Sequence, residues 1–373
     1  MPASFAALPV GQGDAFLVSS AGFSALIDGG RSRTTLPALL SKHRRGQVLE
    51  VVACTHNDAD HAEGLIGLLA SGKIRVRQVW LPGQWTTRLG DLLVTPEAFM
   101  LEVLREIEAL GEDRRESSLA ELDDRYGEGD SVPAEGSPIV EVLDEAVEAS
   151  AGRQGLLLRH LASWWAVLFH PFHRVRPRLF WEAIDAAERI HEMAYLAWHR
   201  AVAVRWFDVA SSPATTTTEP LSPVNAKEIA FVPTYKPGAL QFLALSVSNK
   251  RSLCFEFRPT PENPAVLLTA DSDLNFAAPI RWSEGMIVTA PHHGSEANAH
   301  AYNRASRESS FAQSILWVRS DGKFRTRPGA TFLRQTQRYC TRCRPYNHPE
   351  QAVRFTVTAA GWIANRTQPC RCV

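Results

Sequence analysis

The sequence predicts a layered α/β protein interrupted by a long helical insertion. Three observations carry that prediction. Short apolar runs ending in Gly, Asp or Asn fill residues 5 to 85, helical spacing takes over from about residue 95 to 209, and strand-like runs then resume. Apolar strands alternating with helical patches are the pattern of sheets covered by helices.

Taken in order, Phe5 to Leu8, Ala15 to Ser19, Phe23 to Asp28, Val48 to Thr55 and Val76 to Leu81 read as strands, with helical patches from Thr35 to Lys42 and Gly64 to Ala70. The insertion is read from apolar spacing at Phe99, Val103, Ile107 and Leu110, and again at Ile184, Ala187, Ile190, Ala194 and Ala197. Its most apolar stretch, Leu161 to Phe169, falls short of the ~18 residues a membrane span needs and is expected to be a buried helix. Ser211 to Pro223, with four consecutive Thr and three Pro, reads as an exposed linker. Strand signals follow at Ala239 to Val247, Ser252 to Phe257, Ala265 to Thr269, Met286 to Ala290, Ile315 to Val318 and Val353 to Thr358. The expected organisation is a first half of the core at 1–94, a helical insertion and linker at 95–223, a second half at 224–335, and a Cys-containing extension at 336–373 packed on the core.

With 45% hydrophobic and 21% charged residues over 373 positions, the chain belongs with globular rather than disordered or fibrous proteins. It lacks a basic start followed by an apolar run and a small-residue cleavage site, so a cytoplasmic location is expected. The formal net charge of zero conceals a polarity. Residues 102 to 148 carry 16 acidic against 4 basic side chains, whereas 301 to 373 carry 13 basic against 3 acidic. The basic C-terminal region is able to face an anionic ligand, and a solvated surface without a partner is the alternative.

The chemistry concentrates in Thr55-His56-Asn57-Asp58-Ala59-Asp60-His61-Ala62-Glu63-Gly64, directly after an apolar strand. Four candidate metal ligands within six residues, on a strand-to-helix loop, can surround ions while the strand holds them. Capping of the following helix would account for Asp60, but for neither His56 nor His61. Two further strands deliver polar groups at their ends: Leu267-Leu268-Thr269-Ala270-Asp271-Ser272-Asp273 and Thr289-Ala290-Pro291-His292-His293-Gly294-Ser295. Ligands distant in sequence but all at strand ends are how an α/β scaffold assembles a site.

Together with Val10-Gly11-Gln12-Gly13-Asp14-Ala15, Leu26-Ile27-Asp28-Gly29-Gly30 and Asn249 to Leu253, these motifs resemble the metallo-β-lactamase superfamily. Within it they resemble the branch that includes the C-terminal domain of the competence protein ComEC. The resemblance covers residues 5 to 85 and roughly 239 to 335, leaves the helical insertion unmatched, and implies an αββα sandwich. It implies that His56 and Asp58 hold a first metal, that Asp60 and His61 hold a second, and that Asp271 bridges them. One of His292 and His293 would complete the second site, with His293 favoured.

Three positions depart from the superfamily pattern. Asp58 stands where most members have His, although the ComEC-like branch resembles this chain there. No His occupies the strand Ser248-Asn249-Lys250-Arg251-Ser252-Leu253, and Arg327-Pro328 replaces a frequent His-Pro. A first metal short of imidazole and rich in carboxylate favours Mn²⁺ or Mg²⁺ over tightly bound Zn²⁺. The resemblance implies a metal-activated hydroxide as attacking group, with Asp60 holding it. Ser295, Asn249 and Arg327 are candidates for binding substrate oxygens, against a reading of ordinary turn and surface chemistry. Asp28 and Asp14 are expected to orient the ligands without touching an ion, with turn stabilisation beside the glycines as the alternative, and Gln12 to face the cleft. His160, His170, His173, His191 and His199 are read as satisfied interface histidines of the insertion.

Cys54 and Cys254 sit singly in apolar runs and are expected to be inert. Cys340-Thr341-Arg342-Cys343 and Cys370-Arg371-Cys372 form two close pairs that suit a structural zinc, with His348 a substitute ligand and free thiols or disulfides the alternatives. The function expected is a metal-dependent phosphodiesterase or nuclease acting on DNA. The alternatives are hydrolysis of a small molecule such as a cyclic nucleotide or lactone, and a partner-regulated subunit of a defence-type assembly that docks through the helical insertion.

Overall fold

A computed structural model describes residues 2–43, 48–110, 118–126, 136–150, 177–210, 220–276, 279–321, 327–343, 351–365 and 369–372. The chain starts with β1 (Ser4–Ala7), β2 (Phe16–Ser20) and β3 (Phe23–Ile27), followed by α1 (Thr35–His43), β4 (Val48–Ala53), α2 (Ala59–Ser71) and β5 (Arg75–Pro82). The helical stretch comprises α3 (Thr86–Val94), α4 (Pro96–Ala109), α5 (Leu119–Tyr126), β6 (Gly136–Pro138), α6 (Ile139–Ser150) and α7 (Pro177–His199). After it come β7 (Ala203–Val209), β8 (Leu221–Pro223), β9 (Ala226–Ile229), β10 (Phe231–Pro233), α8 (Ala239–Ser246), β11 (Phe255–Phe257), β12 (Val266–Leu268) and β13 (Ile287–Thr289). The chain closes with α9 (Ala299–Glu308), β14 (Leu316–Arg319), α10 (Ala330–Leu333), β15 (Arg338–Cys340), β16 (Val353–Thr358) and β17 (Gly361–Ala364).

Two large sheets result, in the orders β17-β16-β1-β2-β3-β4-β5-β7-β9 and β15-β14-β13-β12-β11-β8. Period-two alternation sorts their side chains into three apolar layers. Phe5, Phe16, Ile27, Val51 and Trp80 of the first sheet meet Phe255, Val266, Leu268, Ile287 and Val318 of the second. The opposite faces go to helices. Leu17, Leu26, Val52 and Val79 pack under α1 to α4, α7 and α8, while Leu267, Val288 and Trp317 pack under α9 and α10. Strands covered on both faces need unbroken apolar runs, which is why these segments read so clearly. The architecture is the expected αββα sandwich.

Several expectations change. Ala239 to Val247, read as a strand, is helix α8, because Leu240, Leu243, Ala244 and Val247 repeat at helical spacing and Leu and Ala favour helix. Ala203–Val209, inside the stretch read as helical, is a strand parallel to β5. Within the segment read as linker, Leu221–Pro223 is the edge strand pairing with β11. The segment after residue 336 contributes strands to both sheets, β15 to one and the β16–β17 hairpin to the other. Leu161 to Phe169, His160, His170, His173 and His348 lie outside the described residues. No helix among the described residues is long and apolar enough to cross a membrane.

Candidate metal centre

The parallel pairs β3·β4 and β12·β13·β14 end at one rim of the sandwich, and the turns leaving them carry the polar cluster. Backbone strain marks the same turns. Asp28, Ala270, His292 and His293 all adopt left-handed φ values of 47° to 60°, each at a cost of about 1–3 kcal/mol that surrounding contacts must offset.

Four imidazoles are tethered at Nδ1 and turned inward at Nε2. His61 Nδ1 donates to Asp28 Oδ2 at 2.8 Å, and His293 Nδ1 to Asp14 Oδ1 at 3.0 Å. His56 Nδ1 donates to Thr55 Oγ1 at 3.0 Å, while that hydroxyl donates to Asp28 Oδ2 and the Thr55 N–H to Asp28 Oδ1. His292 Nδ1 lies 3.2 Å from Asn298 Oδ1 and 3.4 Å from Asn249 Nδ2. Fixing the tautomer through Nδ1 leaves each Nε2 lone pair free for an ion.

The Nε2 atoms divide over the two oxygens of Asp271. His61 and His293 stand 3.2 Å and 3.5 Å from Oδ1, His292 and His56 3.5 Å and 3.8 Å from Oδ2. His293 Nε2 also lies 3.4 Å from Asp60 Oδ2 and 3.3 Å from His61 Nε2, and His56 Nε2 lies 3.7 Å from Asp58 Oδ2. Donors sharing one ion at ~2.1 Å with near-tetrahedral angles sit about 3.4 Å apart. The spacing in the His61–His293 set therefore matches shared coordination, and the His56 set is slightly wider. Among the described residues, His56 Nε2 and Asp271 Oδ1 are buried atoms without a hydrogen-bond partner, as expected for metal donors. The residues fit divalent cations.

Electrostatics agree. Burial alone would lower the pKa values of His61 and His293, yet Asp271 and Asp28 around the first, and Asp14 and Asp271 around the second, hold both well above the ordinary imidazole range. Burial opposes ionisation of Asp271 and Asp60, but the neighbouring imidazoles hold the former well below, and His293 holds the latter below, the usual carboxylate range. Asp14 is different, since burial pushes it up despite His293. A pocket with Asp14, Asp28, Asp58, Asp60 and Asp271 converging on four imidazoles calls for positive charge, which divalent ions supply better than protons.

The arrangement assigns both histidines of the pair a place. His293 is fully buried in the Asp60–His61 set, and His292 faces the Asp271 oxygen nearer His56. Asp58 is the cap residue of α2, but its side chain makes no capping bond. Asp60 is in the first turn of α2 and close to His293. Gln12 lies in the turn between β1 and β2. It is half-buried, and its side chain accepts from Arg31 at 3.4 Å. Ser295 follows the turn reading of its two alternatives, since its hydroxyl accepts from the Ala297 N–H and caps the turn that follows. Arg327 is half-buried in a segment anchored by the Gly329 N–H on the Gly294 carbonyl. His191 and His199 stack on Tyr195 within α7. Cys54 is buried and its thiol pushed well above the usual range, and Cys254 is pushed up to about 12 by burial, so both are inert.

Three positioning groups escaped the sequence reading. Arg189, buried on α7, donates from Nε to the Asn57 carbonyl at 2.8 Å. Asn57 in turn donates to Ala186 O and Ser246 Oγ, wedging the motif loop between α7 and α8. Arg319, at the end of β14, donates to the strained His293 carbonyl at 2.7 Å and pairs with Asp321 at 2.9 Å, both side chains fully buried. Asp321 also accepts the Gly13 N–H. A charged R-x-D at the end of an apolar strand was the available signal for the last two. Arg189→Met is expected to destabilise the fold by about 3 kcal/mol, since it leaves buried acceptors unpaired. Denaturant unfolding of the variant checks this, and a change below about 0.5 kcal/mol would show that the insertion does not brace the loop.

No family model matches the chain, and no curated protein matches it. Among solved structures it is similar to the stereoselective inverting sec-alkylsulfatase Pisa1 from Pseudomonas sp., with 21% identity, a TM-score of 0.18, and coverage of 25% of this chain and 18% of that one. A double mutant of the same sulfatase is 19% identical, with a TM-score of 0.18 and coverage of 26% and 18%. The match thus spans less than a fifth of those sulfatases.

Proposed function

We propose that this chain is a two-metal hydrolase of the metallo-β-lactamase superfamily that cleaves phosphodiester bonds in DNA. The observation that carries the reading is the division of four inward-turned imidazoles over the two oxygens of one buried carboxylate, Asp271. One ion would be held by Asp60, His61, His293 and Asp271, the other by His56, Asp58, His292 and Asp271. Bound divalent ions would supply Lewis acidity and lower the pKa of a coordinated water towards neutrality. His292 gives the first set the second imidazole missing from the usual strand, so zinc and manganese suit both sets better than magnesium.

The chain's own groups do the positioning. Asp28, Thr55, Asp14 and Asn298 fix the ring orientations, and Arg319 fixes the His293 backbone. Lys250 is exposed in the turn beside Asn249, and Arg31 is exposed on Gln12, so cations flank the centre where a phosphate backbone would approach. The excess of basic residues from 301 to 373 supports the same substrate class.

The test is incubation with single- and double-stranded DNA, RNA and bis(p-nitrophenyl) phosphate under Mn²⁺, Mg²⁺ or Zn²⁺, beside Asp60→Ala. Metal-dependent DNA cleavage that is lost in Asp60→Ala is expected. Turnover of a small ester or cyclic nucleotide with every nucleic acid left intact would replace this reading by small-molecule hydrolysis.

A further inference from the structure

The C-terminal cysteines form a second cluster, on the edge of the other sheet and outside the His/Asp centre. Cys340 ends β15, and Cys343 follows after a turn in which its N–H bonds the Cys340 carbonyl. Cys370 is brought alongside by its N–H on the Arg338 carbonyl. The four sulfurs lie within 4.8 Å of one another. The separations Cys340–Cys372, Cys343–Cys370 and Cys343–Cys372 are 3.7, 3.7 and 3.5 Å.

Those distances discriminate between the available chemistries. A disulfide requires sulfurs about 2.05 Å apart, whereas four thiolates around zinc at about 2.3 Å stand about 3.8 Å apart along the tetrahedron edges. A backbone N–H also points at a sulfur, Arg371 N to Cys343 Sγ at 3.1 Å, a contact that stabilises thiolate charge. Arg338, Arg342 and Arg371 stand within two residues of the cysteines in sequence, so cations are available to a four-thiolate site. Cys340 and Cys370 are buried in the apolar layer under α9, and Cys343 and Cys372 are half-buried against it, so the four thiols close around one point at the edge of that layer.

We propose that Cys340, Cys343, Cys370 and Cys372 hold a structural zinc ion that fastens the C-terminal segment to strand β15. Binding converts four thiols to thiolates, releases their protons and involves no redox change. The ion is a rivet for the neighbouring strand as well. Cys340 pairs with Arg319 in the β15·β14 register, and the Thr341 N–H bonds the Arg319 carbonyl, so the residue gripping His293 is backed by this edge.

Metal analysis of two purified full-length variants separates this site from the His/Asp centre. Asp271→Ala is expected to retain one tightly held zinc per chain, and Cys343→Ser/Cys372→Ser to lose that equivalent while still taking up metal at the His/Asp centre. Cobalt substitution adds a direct readout: a sulfur-to-cobalt charge-transfer band should persist in Asp271→Ala and vanish in the double variant. Should the double variant fail to fold, X-ray absorption on zinc-loaded Asp271→Ala decides, with four sulfur neighbours at about 2.3 Å expected. A zinc-free Asp271→Ala protein without the cobalt band, or intact mass showing two disulfides in the native protein, would overturn the proposal whatever the hydrolase assay shows.

Discussion

Asp271→Ala is expected to lower turnover by on the order of 10³-fold, a loss of about 4 kcal/mol of transition-state stabilisation, and to abolish divalent-ion uptake at the His/Asp centre. Among the described residues, Asp271 alone addresses both imidazole sets, with Oδ1 on His61 and His293 and Oδ2 on His56 and His292. Deleting it would remove a candidate donor from both imidazole sets at once and take away the negative charge at their centre. Asp14→Asn removes only the charge behind His293 Nδ1 and preserves the acceptor oxygen, so a 10- to 100-fold effect is the expectation. Kinetics on a phosphodiester with metal analysis of the same preparations measures the contrast. An Asp271→Ala protein that keeps its full metal content at the His/Asp centre, or loses no more activity than Asp14→Asn, would remove the shared carboxylate from the mechanism.

The contrast also explains what could be read from the chain alone. His56, Asp58, Asp60 and His61 lie within one loop, and Asp271, His292 and His293 each follow an apolar strand, so local sequence announces both the residues and the rim they occupy. Which histidine of the pair faces which oxygen was not legible. It depends on two successive left-handed residues and on Asn298 reaching back to His292, neither of which leaves a pattern. Arg189 is harder still. It is 132 positions from Asn57, and a single Arg on an apolar helix reads as a solvated residue until the tertiary fold buries it. Helix α8 was misread because nine mostly apolar residues satisfy a buried strand and a buried helix alike, and only neighbours on both sides settle the period. The insertion therefore belongs to the site physically although it lacks the motifs. It closes on the metal loop through one guanidinium and one carboxamide.

The tightest coupling between fold and centre runs through Gly13, and Gly13→Ala is expected to be the most damaging small substitution outside the ligands. Gly13 has φ of +95°, and a Cβ there would fall 1.8 Å from the Asp60 carbonyl oxygen and 2.6 Å from its Cβ. The contact is backbone on backbone, since the Asp14 N–H already bonds that same carbonyl at 3.1 Å, and no side chain can swing aside to relieve it. Accommodating the methyl pushes Asp60 and Asp14 apart, and these two carboxylates bracket His293 from Nε2 and Nδ1. Displacement of order 1 Å at a reacting group costs about 10²-fold in rate, and the left-handed backbone adds roughly 1–2 kcal/mol of instability. Gly11→Ala supplies the control. Its φ is +86° but nothing lies within 4 Å of its Cβ position, so it carries the backbone cost without the collision. Melting temperature, metal content and turnover measured on both variants should show a similar conformational penalty in each, with metal loss and the 10²-fold defect confined to Gly13→Ala. Equal activity in the two variants would mean that the seam between the Gly13 turn and Asp60 tolerates movement, and that the geometry around His293 is set from the Arg319 side alone.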